Sequence, residues 1–238
     1  MLEGPHVVGA ALDAGLALDE VFVEAGVDGA LVERARAAGS PVHQLEPGTL
    51  ARVTDAVSPQ PVLAVAPWCD ADLSVVIAAA DPQSERPRPV VVLHDLRDPG
   101  NVGTLLRTAE ASGAGGVVVS GHSADVFNPK CVRASVGALF HLPVALVDDG
   151  VAVLGQLHDA GMTVVGTDAA APSAYDRHDL TGALALVLGN EAAGLPPDVS
   201  AAVDQVVSIP IDGRAESLNV AAAGAVLCFE AARQRRAR

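Results

Sequence analysis

Residues 89–113, PVVVLHDLRDPGNVGTLLRTAEASG, decide the fold class. The stretch opens with an apolar run that lacks polar alternation, which is typical of a strand covered on both faces of a parallel sheet. The Asp-Pro-Gly at 98–100 has turn chemistry, Asn101 is a good helix N-cap, and Gly113 suits a helix end. The sequence therefore predicts a buried strand, a tight turn and a helix that brings Asn101 and Arg107 to one rim.

The same kind of apolar run recurs along the rest of the chain and predicts further strands. These strands are expected at 116–120, 143–147, 163–166, 183–188 and 206–211. Helical patterns lie between them, so we expect an α/β fold with a parallel sheet and right-handed crossovers. Ligands of such sheets bind beyond the carboxyl ends of the strands. The last segment, 218–236, is small and apolar until Glu230 and predicts a helix buried on nearly every side.

The chain divides into two predicted units. Residues 1–70 alternate short apolar strands, at 21–25 and 61–66, with helical stretches and form a small α/β domain. Residues 71–89 are predicted to be a linker because their proline-rich second half cannot continue a helix or pair as a central strand. Residues 90–238 then form the second domain.

Composition and charge limit the possible functions. The formal net charge of −14 excludes a generally basic surface that would coat nucleic acid, so any nucleic-acid contact must be local. The three cysteines lie far apart, and no histidine pair has metal-ligand spacing, which predicts neither a disulfide framework nor a metal site. No apolar run approaches the length of a membrane span and the N-terminus has no basic signal region, so we expect a cytoplasmic protein without membrane contact.

Two more loops at the expected sheet edge carry polar residues. LGNEAAGLPP (188–197) follows an apolar strand and holds a glycine and Glu191, while IPIDGRAESLNVAAAG (209–224) holds Ser217 and Asn219, only one of which can cap a helix. Each loop alone also has a purely structural interpretation. In that interpretation the loops are turns and caps, and Arg107 forms a surface pair with the glutamate three residues on.

Competing enzyme signatures are weaker. The first strand is not followed by G-x-G-x-x-G, which disfavours a dinucleotide-binding pocket. VVVSGHSAD (117–125) partly matches a nucleophile elbow, so a hydrolase using Ser123 with Asp168 and His178 is an alternative, although Asp125 stands where the last glycine of the motif belongs.

Taken in order, the loops DPGNVGTLLRTAEASGA, LVLGNEAAGL and IPIDGRAESLNVAAAGAV resemble the three motifs of the SpoU (TrmH-like) RNA 2′-O-ribose methyltransferases of the SPOUT superfamily. FNPKCVRASVGALFHLPV (127–144) and residues 3–68 resemble the same family, the latter its L30-like RNA-binding domain. The resemblance implies a SPOUT parallel sheet with a C-terminal trefoil knot, S-adenosylmethionine as cofactor, and a homodimer formed through the catalytic domain.

The resemblance also implies roles for individual residues. Those expected around the reacting ribose are Arg107, Asn101, Glu191, Ser217 and Asn219. Those expected to line the cofactor pocket are Thr167, Leu188, Gly189, Ile209 and Leu218. The implied substrate is RNA, with ribosomal RNA preferred because the N-terminal domain resembles that branch; a tRNA enzyme and a non-catalytic RNA-binding protein are the alternatives. A basic strip of Arg107, Lys130 and Arg133 is expected to contact RNA.

Overall fold

The structure, a computed structural model, describes residues 1–54 and 58–238, and these ranges fold into two sheets with helices packed against them. The strands are β1 Leu2–Glu3, β2 Glu20–Glu24, β3 Val42–Leu45, β4 Val62–Val65, β5 Val90–His94, β6 Gly116–Ser120, β7 Val144–Val147, β8 Thr163–Thr167, β9 Leu184–Leu188 and β10 Gln205–Val207. The α-helices are α1 Pro5–Asp13, α2 Gly29–Ala37, α3 Leu73–Ala80, α4 Pro99–Ser112, α5 Pro129–Ser135, α6 Gly150–Asp159, α7 Pro197–Ala201 and α8 Val220–Ala237. Short 3-10 turns occupy Leu50–Arg52, Ala138–Phe140 and Tyr175–Arg177.

The C-terminal sheet has six parallel strands in the order β10-β8-β9-β5-β6-β7, which confirms the predicted parallel α/β architecture. Every residue of β5, β6 and β9 is buried, as their continuous apolar sequences require. Leu93 of β5 pairs with Leu188 of β9. Two loops distant in sequence, one after each strand, therefore leave the sheet side by side at its carboxyl edge.

Strand β10 is shorter than the predicted 206–211, since the sheet pairing stops at Val207. Pro210 has no N–H with which to continue a ladder, so the chain leaves the sheet before it. Residues 208–219 instead run irregularly to the start of α8. The early end of β10 thus gives the third polar loop its length.

Helix α8 packs closely against α4 and the carboxyl end of β9 through Gly224. A methyl group at Gly224 would collide with Leu105 of α4 and lie 2.8 Å from Leu188 Cδ1. The expectation that α8 is buried on nearly every side is wrong, because Phe229 is 46% exposed and Ala222 is also exposed. One apolar face of the helix is therefore open.

The N-terminal sheet, ordered β1-β4-β2-β3, packs directly on the C-terminal part. Buried side chains of both sheets belong to one continuous apolar core. Gly137, just after α5, lies against Ala10 of α1 so closely that an added methyl would collide with it. Arg133 Nη1 of α5 lies 3.1 Å from Glu3 Oε2 of β1, and the Glu3 side chain is only 9% exposed. These contacts attach the N-terminal sheet to α5 and the turn after it.

The segment predicted as a linker, 71–89, contains helix α3, so it is not an extended connection throughout. Val76 and Ala80 of α3 are fully buried, and Ala80 lies against Gly115 at the start of β6. The prolines of 81–90 do end this helix, as expected. Over the residues described, none of the helices has both the length and the apolar character needed to cross a bilayer.

Candidate active site

The N-terminus of α4 is capped by Asp98, and this leaves Asn101 free. Asp98 Oδ1 accepts a hydrogen bond of 2.8 Å from Gly100 N, and Pro99 occupies the first helical position, where its missing N–H costs nothing. The expected N-cap role of Asn101 is therefore wrong. Hydrogen bonds from the Lys130 ammonium, and then from Gly100 N, lower the pKa of Asp98, so this cap stays ionised at neutral pH.

Three side chains from distant segments form one hydrogen-bonded chain at the carboxyl edge of the sheet. Asn101 Nδ2 donates to Glu191 Oε1 at 2.8 Å, and Asn219 Nδ2 donates to Asn101 Oδ1 at 3.1 Å. Asn219 also caps α8, because its Oδ1 accepts from Ala221 N at 2.9 Å. Of the predicted ribose-site residues, Glu191 and Asn219 are thus each in direct contact with Asn101.

A cavity of about 380 Å³ lies beside these three hydrogen-bonded side chains. Its lining includes six further residues singled out from the sequence, namely Thr167, Leu188, Gly189, Ile209, Ser217 and Leu218. Glu191 also lines the cavity, so it belongs both to the cavity and to the group of three hydrogen-bonded side chains. The cavity is within the size range of about 300–1,000 Å³ that small-ligand pockets occupy.

Gly189 gives this cavity part of its shape through close backbone packing. A methyl group at this position would lie 2.6 Å from the carbonyl carbon of Gly194 and 2.8 Å from Leu195 N. Only a residue without a Cβ allows the two sides of the 189–194 loop to approach in this way. The loop therefore presents main-chain groups to the cavity.

Asn190 was not singled out from the sequence, yet it organises the site. Its Nδ2 donates to Asp95 O at 2.9 Å, while its Oδ1 accepts from Ala192 N and Ala193 N. Asp95 has a φ of +57°, in the left-handed region, and this conformation turns the chain from β5 toward α4. Asn190 thus joins the first and second loops. Its position directly after a glycine, where asparagine forms side-chain turns, was the available sequence signal.

Arg107 does not line the cavity. It lies exposed on α4, six residues beyond Asn101, and over residues 1–54 and 58–238 its side chain forms no hydrogen bond or ion pair, including none with Glu110. Two other members of the expected basic strip are already paired. Lys130 Nζ lies 2.7 Å from Asp98 Oδ1, and Arg133 pairs with Glu3.

The geometry does not support the hydrolase alternative. Ser123 Oγ accepts from Leu96 N at 3.0 Å and donates to Ser120 O at 2.8 Å, so its hydroxyl holds a loop together. His178 Nδ1 instead contacts Gln205 Oε1 at 2.6 Å. No cluster of three potential metal ligands occurs in the described part of the chain.

Comparison with known proteins places this geometry in a family. A sequence model described as "SpoU rRNA Methylase family" matches residues 88–229, more than half of the chain. The chain belongs to this family. A second model, "RNA 2'-O ribose methyltransferase substrate binding", matches residues 1–67. The family resemblance read from the three loops is confirmed.

Individual SpoU relatives match along almost the whole chain. The 23S rRNA (guanosine(2553)-2'-O)-methyltransferase RlmP of Bacillus subtilis is 31% identical over 96% of this chain and 86% of its own. An uncharacterized tRNA/rRNA methyltransferase of Synechocystis, slr0955, is 31% identical over 99% of this chain, which spans 62% of that relative's length. The crystal structure of the SpoU methyltransferase AviRb from Streptomyces viridochromogenes in complex with AdoMet superposes with a TM-score of 0.86, at 29% identity over 100% of this chain and 90% of that one.

Proposed function

We propose that this protein transfers a methyl group from S-adenosylmethionine to a ribose 2′-hydroxyl of RNA, with ribosomal RNA as the substrate class. The observation that carries the proposal is the contact among Asn101, Glu191 and Asn219 next to a cavity at the sheet edge. Family membership supports the reaction class. RlmP, a 23S rRNA 2'-O-methyltransferase by name, supports the substrate.

The cavity fits a nucleoside-containing cofactor. Leu188, Ile209 and Leu218 provide apolar walls for a planar base, and the 189–194 loop provides main-chain groups at the rim. Thr167 Oγ1, at the end of β8, donates to Val187 O at 3.2 Å and so lies where two strands meet the cavity. When bound, S-adenosylmethionine supplies a sulfonium methyl group that carries its own leaving group.

The residues of the chain then have two tasks, which are to hold the ribose in line with the cofactor and to assist loss of the hydroxyl proton. Glu191 and Asn219 are held by Asn101, so their unused polar atoms present a fixed pattern to the sugar. Ser217 lies on the cavity wall, and its hydroxyl is not needed as the cap of α8 because Asn219 fills that position. We assign positioning to all four.

Arg107 is assigned to the RNA backbone. A guanidinium stays protonated in proteins, so it does not act as the base. Its exposed position on α4 suits binding of the phosphate next to the target ribose, from where its charge stabilises the developing alkoxide. The proton of the 2′-hydroxyl is then transferred to that phosphate or to water. Arg107→Lys keeps the charge but loses the planar fork, and we expect a fall in single-turnover rate.

Three structural features complete the proposal. Residues 1–70 form the RNA-recognition domain, and 90–238 the catalytic domain with its C-terminal segment threaded as a trefoil knot. The functional unit is a homodimer formed through the catalytic domain, and the open apolar face of α8, with Phe229 exposed, supports it. Sedimentation of the purified chain tests the dimer: a monomer at micromolar concentration contradicts it. A crystal structure tests the threading.

The deciding experiment supplies methyl-labelled S-adenosylmethionine and unmodified 23S rRNA or tRNA transcripts. We expect label in ribosomal RNA, at a nucleotide whose 3′ bond resists alkaline hydrolysis because its 2′-oxygen is methylated. Asn101→Ala is expected to lower kcat/KM by about 100-fold, the size of effect that small misplacement of reacting groups produces. The matched control is Thr104→Ala, an exposed position one turn further along α4. Label in tRNA alone reassigns the substrate, and no transfer to either RNA contradicts the enzymatic proposal.

A further inference from the structure

Trp68 is an exposed aromatic residue that packs against the half-buried Phe127 at the seam between the two sheets. It is the only tryptophan of the chain, follows β4, and is 73% exposed. Its ring packs edge-on against Phe127, with the ring centroids 4.6 Å apart. Phe127 also packs against the apolar core, whereas most of the Trp68 side chain is left open to solvent. Burial of the Trp68 side chain would stabilise the fold by the transfer free energy of its apolar surface, and this stabilisation is absent while the side chain is exposed.

The pair borders a cleft of about 220 Å³. The cleft is lined from the N-terminal side by Leu2 and Pro67, and from the C-terminal side by Phe140 and the carboxylate residue Asp125. It is smaller than the roughly 300–1,000 Å³ of pockets that enclose whole drug-sized ligands. A single planar ring, stacked on one exposed indole face, matches this size and chemistry.

The cleft is connected to the reaction site by helix α5. Phe127 lies three residues before Lys130, whose ammonium reaches the Asp98 cap of α4, and Asn101 is in the first turn of that helix. Helices α4 and α5 are in close contact, because a methyl at Gly103 would collide with Cys131 O. One basic side chain, Lys130, thus lies on the helix that follows Phe127 and contacts the helix that carries Asn101.

We propose that Trp68 and Phe127 bind one unpaired nucleobase of the RNA substrate, next to the nucleotide that is methylated. Single-stranded bases stack on exposed aromatic side chains, whichever base is present. The charges around the cleft favour an RNA strand whose base lies in the cleft and whose phosphate backbone lies outside it. Asp125 at the cleft repels a phosphate but accepts a hydrogen bond from a base amino group, whereas Lys130 outside the cleft, although paired with Asp98, is 58% exposed and keeps N–H donors for a backbone phosphate. The inference rests on the proposed function for the identity of the neighbouring nucleotide.

The lone tryptophan makes the binding step directly measurable. We expect a single-stranded RNA of about 12 nucleotides, within the length range that such sites cover, to quench the emission of Trp68 in the full chain. Trp68→Ala should weaken binding of the same RNA, measured by anisotropy of a label on the RNA, by about 5- to 150-fold, as loss of one stacked base does. Trp68→Phe keeps a stacking ring and should recover most of the affinity. Val75→Ala, at an exposed apolar residue of α3, is the control and should bind as the wild type does.

Kinetics separate this inference from the proposed function. With the ribosomal transcript, Trp68→Ala should raise KM for RNA while kcat and S-adenosylmethionine affinity stay at wild-type values. Unchanged emission on RNA binding, or equal RNA affinity of Trp68→Ala and wild type, overturns the inference even if methyl transfer is found. Altered sedimentation of Trp68→Ala also overturns it, because the indole then belongs to a contact between copies of the chain. Methyl transfer that is absent while emission is quenched contradicts only the catalytic proposal.

Discussion

Asn219 has two tasks that one pair of substitutions can separate. Its Oδ1 caps α8 through Ala221 N, and its Nδ2 donates to Asn101. Asn219→Ala removes both. Loss of an N-cap costs about 1 kcal/mol, within a range of roughly 0.5–2. For a chain of this size each kcal/mol corresponds to about 2–4 °C in Tm, so we expect Tm to fall by a few degrees.

Asn219→Asp keeps the cap, because aspartate and asparagine are equally good at this position. It removes the donor to Asn101 and sets a carboxylate against an amide oxygen. Asn101 can turn its amide toward the new carboxylate, but its donor to Glu191 is then lost. We therefore expect a stability change within about 0.5 kcal/mol together with a fall in kcat/KM of about 100-fold.

The assay pairs thermal unfolding with methyl transfer to the ribosomal transcript for wild type and both variants. We expect Asn219→Ala to lose both stability and activity, whereas Asn219→Asp should lose activity alone. Full activity of Asn219→Asp would refute the idea that the Asn101 contact positions the ribose. A larger loss of Tm in Asn219→Asp than in Asn219→Ala would refute the capping assignment.

Three further predictions rest on individual contacts in the structure. Gly189→Ala should lower S-adenosylmethionine affinity at least tenfold by calorimetry, because its methyl strikes backbone across the loop, whereas Gly182→Ala, with open space around it, should not. Arg133→Ala should cost about 1–3 kcal/mol in denaturant unfolding, since it strips the largely buried Glu3 of its partner; an unchanged midpoint contradicts this. Hydrogen bonds from the side chain of Arg233, and then from that of Gln234, lower the pKa of Glu230 from 4.5 to about 2. The contribution of Glu230 to stability is therefore present above pH 4.5 and lost as the pH falls toward 2. The Tm of Glu230→Gln should accordingly fall less over that interval than the Tm of the wild type.

The strands of the C-terminal sheet could be predicted from sequence because burial on both faces requires unbroken apolar runs, as in Val90–His94 and Leu184–Leu188. The sheet edge then indicated which loops meet. Competition for a helix cap could not be resolved in the same way. Asp98 and Asn101 are both good caps, and the choice depends on the proline between them and on partners contributed by Glu191, which lies far away in the chain.

Side-chain direction was the other limit. Sequence identifies Arg107 as unusual, but whether its guanidinium enters the cavity depends on helix rotation, and the structure leaves it on the exposed face. The exposed side of α8 was missed for a related reason. Alanine and phenylalanine give no periodic polar signal, so the pattern cannot distinguish burial within one chain from an open apolar face.

The packing of Gly137 against Ala10 has an implication for how a target nucleotide is chosen. If residues 1–70 bind RNA, as proposed, the shared core fixes the distance between the bound RNA segment and the proposed site of methyl transfer. Under that proposal, the target nucleotide is selected by its distance from the RNA segment that residues 1–70 bind. A bulky residue at Gly137 is expected to disturb this packing and therefore the fixed distance.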